Sequence, residues 1–456
     1  MKANTVPWHE IQGDAILARR YTDTAVRRAS WPLGEIVELA SGLYVSEYVP
    51  ANTPGAKPYL RVDNVRTALP NLTAVDMENV RADLVPGYAR VSVRVGDVVI
   101  ARTATLGRAF VVDRSLDGAV MSQHVTRLRL RDDHPGRISP HVLAAYLNTP
   151  AGKEAVLSRA SGSTRLELTH HDLATVEIPQ ALAGVTLDGG YADRVAVLFA
   201  EMRESVTAAR ALCGALVGLP PQIEAGFRSC FTPFEAEPFE ESMLPRFHAP
   251  AWGSVVSRMS ARFRMVRLGD LAKIQRGAGT SSKEYRDRGI PYLRTSSLVN
   301  EGVDLFPDHY GDEATYEEHG QHIGAQDILL TIEGKIGCVA QLGVGERALI
   351  KNHIEVIRLL PSAPPSGFVT AWLGAWPAQL QLDRFTVVQT TIPGIASASR
   401  ELLVPVDGTS VHDRACLADT MEKAQTCISR SISARSKLAS ELDRVSVLVV
   451  TATSQG

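Results

Sequence analysis

The sequence predicts an α+β protein made of two tandem copies of one mixed α/β domain, with two long, coiled-coil-like helices separating them. Three observations predict it. The same short motifs recur in the same order in both halves of the 456-residue chain. The offsets between matching residues drift in one direction by small steps, and each half closes on a heptad-patterned segment.

The first copy begins at Trp31-Pro-Leu-Gly-Glu-Ile, which matches Val266-Arg-Leu-Gly-Asp-Leu in the second. Next, Lys57-Pro-Tyr-Leu-Arg-Val-Asp-Asn matches Ile290-Pro-Tyr-Leu-Arg-Thr-Ser-Ser. Val95-Gly-Asp-Val-Val-Ile leads to Gly107-Arg108, and Ala325-Gln-Asp-Ile-Leu-Leu leads to Gly337-Cys338. Met121-Ser-Gln-His matches Ile350-Lys-Asn-His, each entering an apolar strand, Thr126–Leu130 or Glu355–Leu359. Val176-Glu-Ile-Pro pairs with Leu403-Val-Pro. Gly34 to Gly269 is 235, Tyr59 to Tyr292 is 233, Asp97 to Asp327 is 230, His124 to His353 is 229 and Pro179 to Pro405 is 226. A monotonic drift is what loop deletions leave in a true repeat, and two copies with so long a period mean domain duplication rather than a solenoid. Runs of β-branched residues bounded by Gly and Asp read as strands, and stretches such as Pro140 to Leu157 as helix.

The closing segments carry the helix pattern. In Asp193 to Val217, the residues Val195, Leu198, Met202, Ala209, Leu212 and Leu216 form a heptad seam with Ser205 as its polar entry. Gly218, Pro220 and Pro221 stop it. Near the C-terminus Leu417, Met421, Ala424, Ile428, Leu438, Leu442 and Val445 repeat the pattern, with Ser431 and Arg435 as polar breaks. Asp193-Arg194 and Asp413-Arg414 open the two segments. The expected division is an N-terminal extension 1–30, a first domain 31–182, a helix 183–218, a linker 219–262, a second domain 263–406, and a helix with tail 407–456. Part of the extension, around Asp14 to Arg28, reads as helical.

Composition bounds the function. Apolar content of 45% and charged content of 21% describe an ordinary soluble globular chain. No apolar run approaches the roughly 18 residues a membrane span needs. The opening MKANTVPWHE has no signal-peptide core, so a cytoplasmic location without membrane partners is expected. Five scattered cysteines fit a reducing compartment and not a structural zinc site. A net charge of −2 makes no chain-wide basic signature, so nucleic-acid contact has to come from local patches.

The ordered set of Pro-Tyr-Leu-Arg, Gly-Asp-Val-Val-Ile…Gly, the Gln/Asn-His step and the Gly162-Ser-Thr-Arg loop before Val176-Glu-Ile-Pro, with a long helix closing each half, resembles the specificity subunit of type I restriction–modification systems. The likeness covers roughly residues 31–217 and 263–450. It implies that each globular copy is a target recognition domain and that the helices pair antiparallel as a spacer. It further implies a non-enzymatic, DNA-binding chain for double-stranded DNA, serving defence against phage. The partners it implies are DNA adenine methyltransferase subunits and, in a full system, a translocating endonuclease. No cofactor is then expected in this chain, with S-adenosylmethionine, Mg²⁺ and ATP in the partners. The sequence departs from the family in its N-terminal extension, in the joint Gly218–Arg262 with its acidic run Glu235 to Glu241, and in having Val388-Gln-Thr-Thr where the first copy has Gly-Ser-Thr.

Candidate DNA contacts follow from position and chemistry. Arg61 and Arg294 share a repeat position and precede Asp63-Asn64 and Thr295-Ser296-Ser297. Arg can bridge guanine O6 and N7, and Asn or Ser can serve base edges or phosphates. Residues kept in both copies equally fit a framework ion pair, since the two domains should read different bases. Residues that differ between copies are the alternative set: Arg102, Thr103, Arg108 and Arg165 in the first, Glu333, Lys335, Lys351, Gln389 and Thr390 in the second. The basic run Arg258 to Arg294, with Tyr285 and Tyr292 interleaved, reads either as a phosphate-tracking face or as plain solvated surface. His124 and His353 lack ligand-spaced partners and read as framework histidines. His170-His171-Asp172 reads as a helix N-terminal turn.

An enzyme-class alternative is a metal-dependent nuclease using Asp327, Glu333 and Lys335. The repeat opposes it, because Glu333 aligns with Thr103 and only the aspartate is kept as Asp97. An interaction-class alternative is a tandem scaffold that binds proteins only. No Asn/Asp-Pro-Pro-Tyr step, cofactor-binding glycine loop or phosphate loop of the GxxxxGK[ST] kind occurs, so methyl transfer by this chain is not expected.

Overall fold

A computed structural model describes residues 29–50, 52–65, 77–104, 106–161, 166–218, 250–279, 284–286, 289–299, 302–304, 307, 309–319, 323–386, 394–395 and 397–455. The expected N-terminal helix, the acidic run Glu235 to Glu241, Cys230, and the candidates Arg165, Gln389 and Thr390 lie outside the described residues. The chain divides into two compact units: the described residues up to Ala196 together with those from Ser440 onward, and Val197–Ala439.

The first unit contains strands β1 (Ser30–Pro32), β2 (Val37–Ser41), β3 (Ala56–Leu60), β4 (Asn79–Arg81), β5 (Val98–Ala101), β6 (Ala109–Val111), β7 (Val120–Met121), β8 (Val125–Leu130) and β9 (Glu177–Pro179). They form a four-stranded sheet of order β2-β8-β5-β6, a three-stranded sheet β4-β3-β7, and the pair β1-β9. The second unit contains β10 (Phe263–Arg267), β11 (Ala272–Arg276), β12 (Ile290–Leu293), β13 (Leu298–Val299), β14 (Gly302–Val303), β15 (Tyr310–Gly311), β16 (Ile328–Thr331), β17 (Val339–Gln341), β18 (Leu349–Ile350), β19 (Ile354–Leu359) and β20 (Leu403–Gly408). Their order is β11-β19-β16-β17, β15-β12-β18 and β10-β20, with the small hairpin β13-β14 added. Strand for strand this is the same fold. It includes the parallel pairs in which Tyr59 faces Val120 and Tyr292 faces Leu349.

Local chemistry repeats with the topology. Asp97 and Asp327, each 3% exposed, sit at the turns before β5 and β16. The Asp97 carboxylate accepts from the Arg94 backbone N–H at 2.7 Å and from Arg129 Nε and Nη2 at 2.7 Å each. Asp327 accepts from the Gly324 N–H at 2.9 Å and likewise bidentately from Arg358. Its expected role in a turn ahead of a strand is therefore what the second unit contains. Gly42 and Gly277 are required by close approach, since a Cβ would lie 2.0 Å from the Met121 carbonyl oxygen or 2.3 Å from that of Lys351. Gly96 turns with φ +88°, and the second unit makes the same turn with Gln326 at φ +77°, a strained choice for a residue with a Cβ.

The expected helix over Pro140 to Leu157 is two helices, Pro140–Asn148 and Pro150–Leu157. Pro150 interrupts the first, and the Thr149 hydroxyl caps the second by accepting from the Gly152 N–H at 3.1 Å. Tyr146 on the first helix donates to the Glu177 carbonyl, and Trp372 at the matching place in the second unit donates its indole N–H to the Leu403 carbonyl at 2.9 Å.

The long helices run Tyr191–Ala215 and Val411–Gln455, the second longer than its seam implied. Within the second unit the buried positions of the first helix are Phe199, Met202, Ser205, Val206, Ala209 and Cys213, with Leu216 and Val217 just beyond its end. This corrects the expected seam: Leu198 and Leu212 are only half-buried, and Phe199, Val206 and Cys213 do their work. A heptad reading assumes one partner helix, whereas this helix also joins the core containing Met259, Phe263 and Trp372. The seam of the second helix is buried as expected except at Met421, which is half-buried, and its polar breaks are occupied. Ser431 donates to the Met202 carbonyl at 3.0 Å, and buried Arg435 bonds the Glu346 carboxylate and the Gln341 carbonyl. Among the described residues no helix is long and apolar enough to cross a membrane.

Candidate nucleic-acid interface

Two places in each unit gather the sequence-derived candidates. The first is the turn after β3 and its counterpart after β12. Tyr59 and Tyr292 are buried and anchor their strands. The arginine that follows enters a 3-10 turn, Val62–Asn64 or Thr295–Ser297. Asn64 Oδ1 accepts from the Arg61 backbone N–H at 2.8 Å, and Ser297 Oγ accepts from that of Arg294 at 3.1 Å. Asn64 therefore has a turn-capping duty, and its counterpart is Ser297 rather than the exposed Ser296. The Arg61 guanidinium pairs with Glu78 at 2.8 Å, just ahead of β4. Arg294 lies 3.3 Å from His309 Nε2, just ahead of β15, and the His309 ring stacks on Tyr285 at 4.3 Å. Both arginines are exposed and both reach the neighbouring strand.

The second place is the end of the four-stranded sheet where β2 finishes, β5 finishes and β8 begins. Arg102 follows β5 and is held by two contacts, Nη1 to Ser41 Oγ at 2.9 Å and Nη2 to Glu167 at 3.4 Å. Ser41 also bonds His170, whose pKa is lowered by burial first and by the Arg102 charge second. His170 opens a helix capped by Thr169 and Asp172, the N-terminal turn expected from sequence. In the second unit Arg276, the last residue of β11, pairs with Glu333 at 3.2 Å, and the other Glu333 oxygen bonds His353 Nδ1. Lys335 is exposed on the following turn, and half-buried Lys351 leads into the β19 entry.

Burial and pairing bear on three of the sequence readings. Thr103 and Arg108 are 1% and 3% exposed, so both side chains are enclosed and not on open surface. Buried Tyr292 cannot offer a stacking face, and Arg262, Arg267, Arg276 and Arg286 of the basic run each pair with a different acid, Asp413, Glu401, Glu333 and Asp312. These four arginines of the run are thus engaged in separate ion pairs. The nuclease arrangement fails on geometry, because both Asp327 oxygens are committed to Arg358 and to the Gly324 N–H. Among the described residues no group of three or more His, Cys, Asp and Glu is placed to hold a metal.

Sequence reasoning missed Ser41 and Glu167, and it took Arg276 only as one charge of the basic run. The offset of 235 pairs Ser41 with Arg276 and could have flagged a serine exchanged for an arginine. Glu167 left no such signal.

No family model and no curated protein matches the sequence. Solved structures similar to the chain include a type I restriction–modification S subunit from M. genitalium, at 11% identity and TM-score 0.36, covering 94% of this chain and 96% of that one. Another, described as showing complex assembly and conformational transition of the type I system, has 16% identity and TM-score 0.28, covering 93% and 97%. An HsdS subunit from Thermoanaerobacter tengcongensis has 15% identity and TM-score 0.26, covering 91% and 96%.

Proposed function

We propose that the chain is the DNA-sequence-recognition subunit of a type I restriction–modification complex. One observation carries this reading. The two units keep the same nine-strand order and the same framework contacts, Asp97–Arg129 and Asp327–Arg358, while the residues at the end of the four-stranded sheet differ in charge and size. One scaffold presented twice with different edge chemistry suits two modules that read different short blocks of bases. Arg61, Asn64, Arg102, Arg294, Ser296, Lys335 and Lys351 are the described residues offered for contact, with Arg165, Gln389 and Thr390 beside them in sequence.

In this reading the mechanism is binding. Arginines and lysines neutralise phosphates and fix the register, and the differing edge residues select bases. The 25-residue helix Tyr191–Ala215 has a length of about 38 Å at 1.5 Å per residue, close to one turn of B-DNA. The proposed target is therefore bipartite, with a fixed unspecified gap. Methylation and cleavage belong to partner subunits carrying S-adenosylmethionine, Mg²⁺ and ATP, in the cytoplasm. The experiment that tests it is co-purification with a DNA adenine methyltransferase, joined to a mobility shift at low salt. Binding to duplex and recovery of a methyltransferase support the reading. Protein partners without DNA binding would favour the scaffold alternative.

A further inference from the structure

The two units place one arginine and one histidine at the same end of their four-stranded sheets, taken from different strands. In the second unit Arg276 and His353 close on the Glu333 carboxylate. In the first unit they are Arg102 and His124, and the residue aligned with Glu333 is Thr103. The backbone bond from Arg102 N to His124 O, 3.0 Å, holds these residues side by side. Three of their side-chain atoms are buried without a hydrogen-bond partner: Arg102 Nε, Thr103 Oγ1 and His124 Nδ1.

The chemistry of those atoms says what is missing. Arg102 Nε–H can only donate. Gln123 Nε2 lies 3.2 Å from His124 Nε2, and with the amide donating there the ring's N–H is left at Nδ1. Thr103 supplies a hydroxyl that can also donate. The Arg102 terminal nitrogens are already occupied by Ser41 and Glu167. Leaving a buried donor unpaired forfeits its full hydration, so a set of three calls for an acceptor. Glu333 shows which acceptor this frame takes, since its oxygens satisfy His353, which matches His124, and Arg276, which stands at the Ser41 position. Threonine is shorter than glutamate by a carboxylate group, which leaves that place to an outside one.

We propose that the first unit binds an oxyanion of the phosphate class at Arg102, Thr103 and His124, in the position that the second unit fills with its own Glu333. Its source is a DNA backbone phosphodiester or free inorganic phosphate. The DNA source rests on the recognition reading above, and the free-phosphate arm does not. Hydrogen exchange on the full chain, with inorganic phosphate against chloride at equal ionic strength, reads the site directly. Phosphate should protect the segment after β5 in the first unit and leave the matching segment of the second unit unchanged. Thr103→Val, which keeps the shape and removes the hydroxyl, should weaken that response about tenfold. Thr103→Glu should abolish it, and Glu333→Thr should create a response in the second unit. For the DNA source, Thr103→Val should weaken binding to all duplexes alike with a shallower salt slope. Phosphate protection with unchanged DNA affinity would keep the site and assign it to the free ion. Wild-type chain that binds no DNA but is protected by phosphate would end the recognition reading and leave the site standing. No phosphate protection in wild type, with DNA affinity unmoved by Thr103→Val, overturns the proposal.

Discussion

Replacing Asp97 or Asp327 by Asn probes the framework that the two units share. Each carboxylate holds its own turn and one arginine on the neighbouring strand. Asn offers one oxygen where two were used and turns an NH₂ toward a guanidinium. Removing one partner of a fully buried ion pair costs about 3–5 kcal/mol. Solvent lowers that figure in proportion to how readily the orphaned arginine rehydrates. The Arg129 side chain is 27% exposed and that of Arg358 is 47% exposed. Asp97→Asn should thus cost about 3 kcal/mol and Asp327→Asn about 2 kcal/mol. Hydrogen exchange of Val98–Ala101 and Ile328–Thr331 on the full chain reads each unit separately. A loss below about 0.5 kcal/mol in both, or a larger loss at Asp327, would refute the assignment. The same samples test the nuclease alternative, because Mg²⁺ should change neither variant nor wild type. Mg²⁺-dependent stabilisation lost in Asp327→Asn would make this carboxylate a metal ligand.

Other consequences are as specific. Gln326→Gly should stabilise the second unit by about 1 kcal/mol in urea unfolding, since glycine carries no penalty at φ +77°. Burial pushes the His141 pKa down to about 4, so the unfolded chain takes up a proton near pH 6.5 that the folded chain refuses. Stability of the first unit should be full above pH 6.5 and fall toward pH 4 by on the order of 3 kcal/mol, and His141→Phe should flatten that slope in pH-dependent unfolding. Arg61→Ala and Arg294→Ala should each leave folding within about 1 kcal/mol, because the groups are exposed, while weakening duplex binding by roughly 1–3 kcal/mol. A loss confined to cognate duplex indicates base reading, and unchanged affinity places both arginines in the framework alone.

Much of this architecture was legible because duplication leaves a record in residue offsets. The matched pairs Gly34/Gly269, Tyr59/Tyr292 and Asp97/Asp327 fall on equivalent elements of the two units. Those positions are set by close approach, burial and a buried carboxylate paired with arginine, which constrain residue type and so survive in sequence. The helix seam was read one position off at Leu198 and Leu212 because a heptad pattern encodes one partner, and this helix also joins a domain core. Exposure of Thr103 and Arg108 was illegible for a different reason. A polar residue after a strand reads as surface, and only packing from segments distant in sequence, such as Leu168 bonding the Arg102 carbonyl, encloses the turn. The ion pairs within the basic run were illegible for the same reason, because the acids that meet Arg262, Arg267, Arg276 and Arg286 arrive from elsewhere in the chain.

The claim of two-module sequence reading is tested most directly by selecting duplexes from a randomised library with the purified chain and sequencing what is retained. Wild type should enrich two short specified blocks separated by a fixed unspecified gap. A variant with seven residues inserted in phase into both long helices lengthens each by about 10 Å and should enrich the same blocks with the gap wider by roughly three base pairs. A single contiguous motif, no enrichment at all, or an unchanged gap in the lengthened variant would contradict the account.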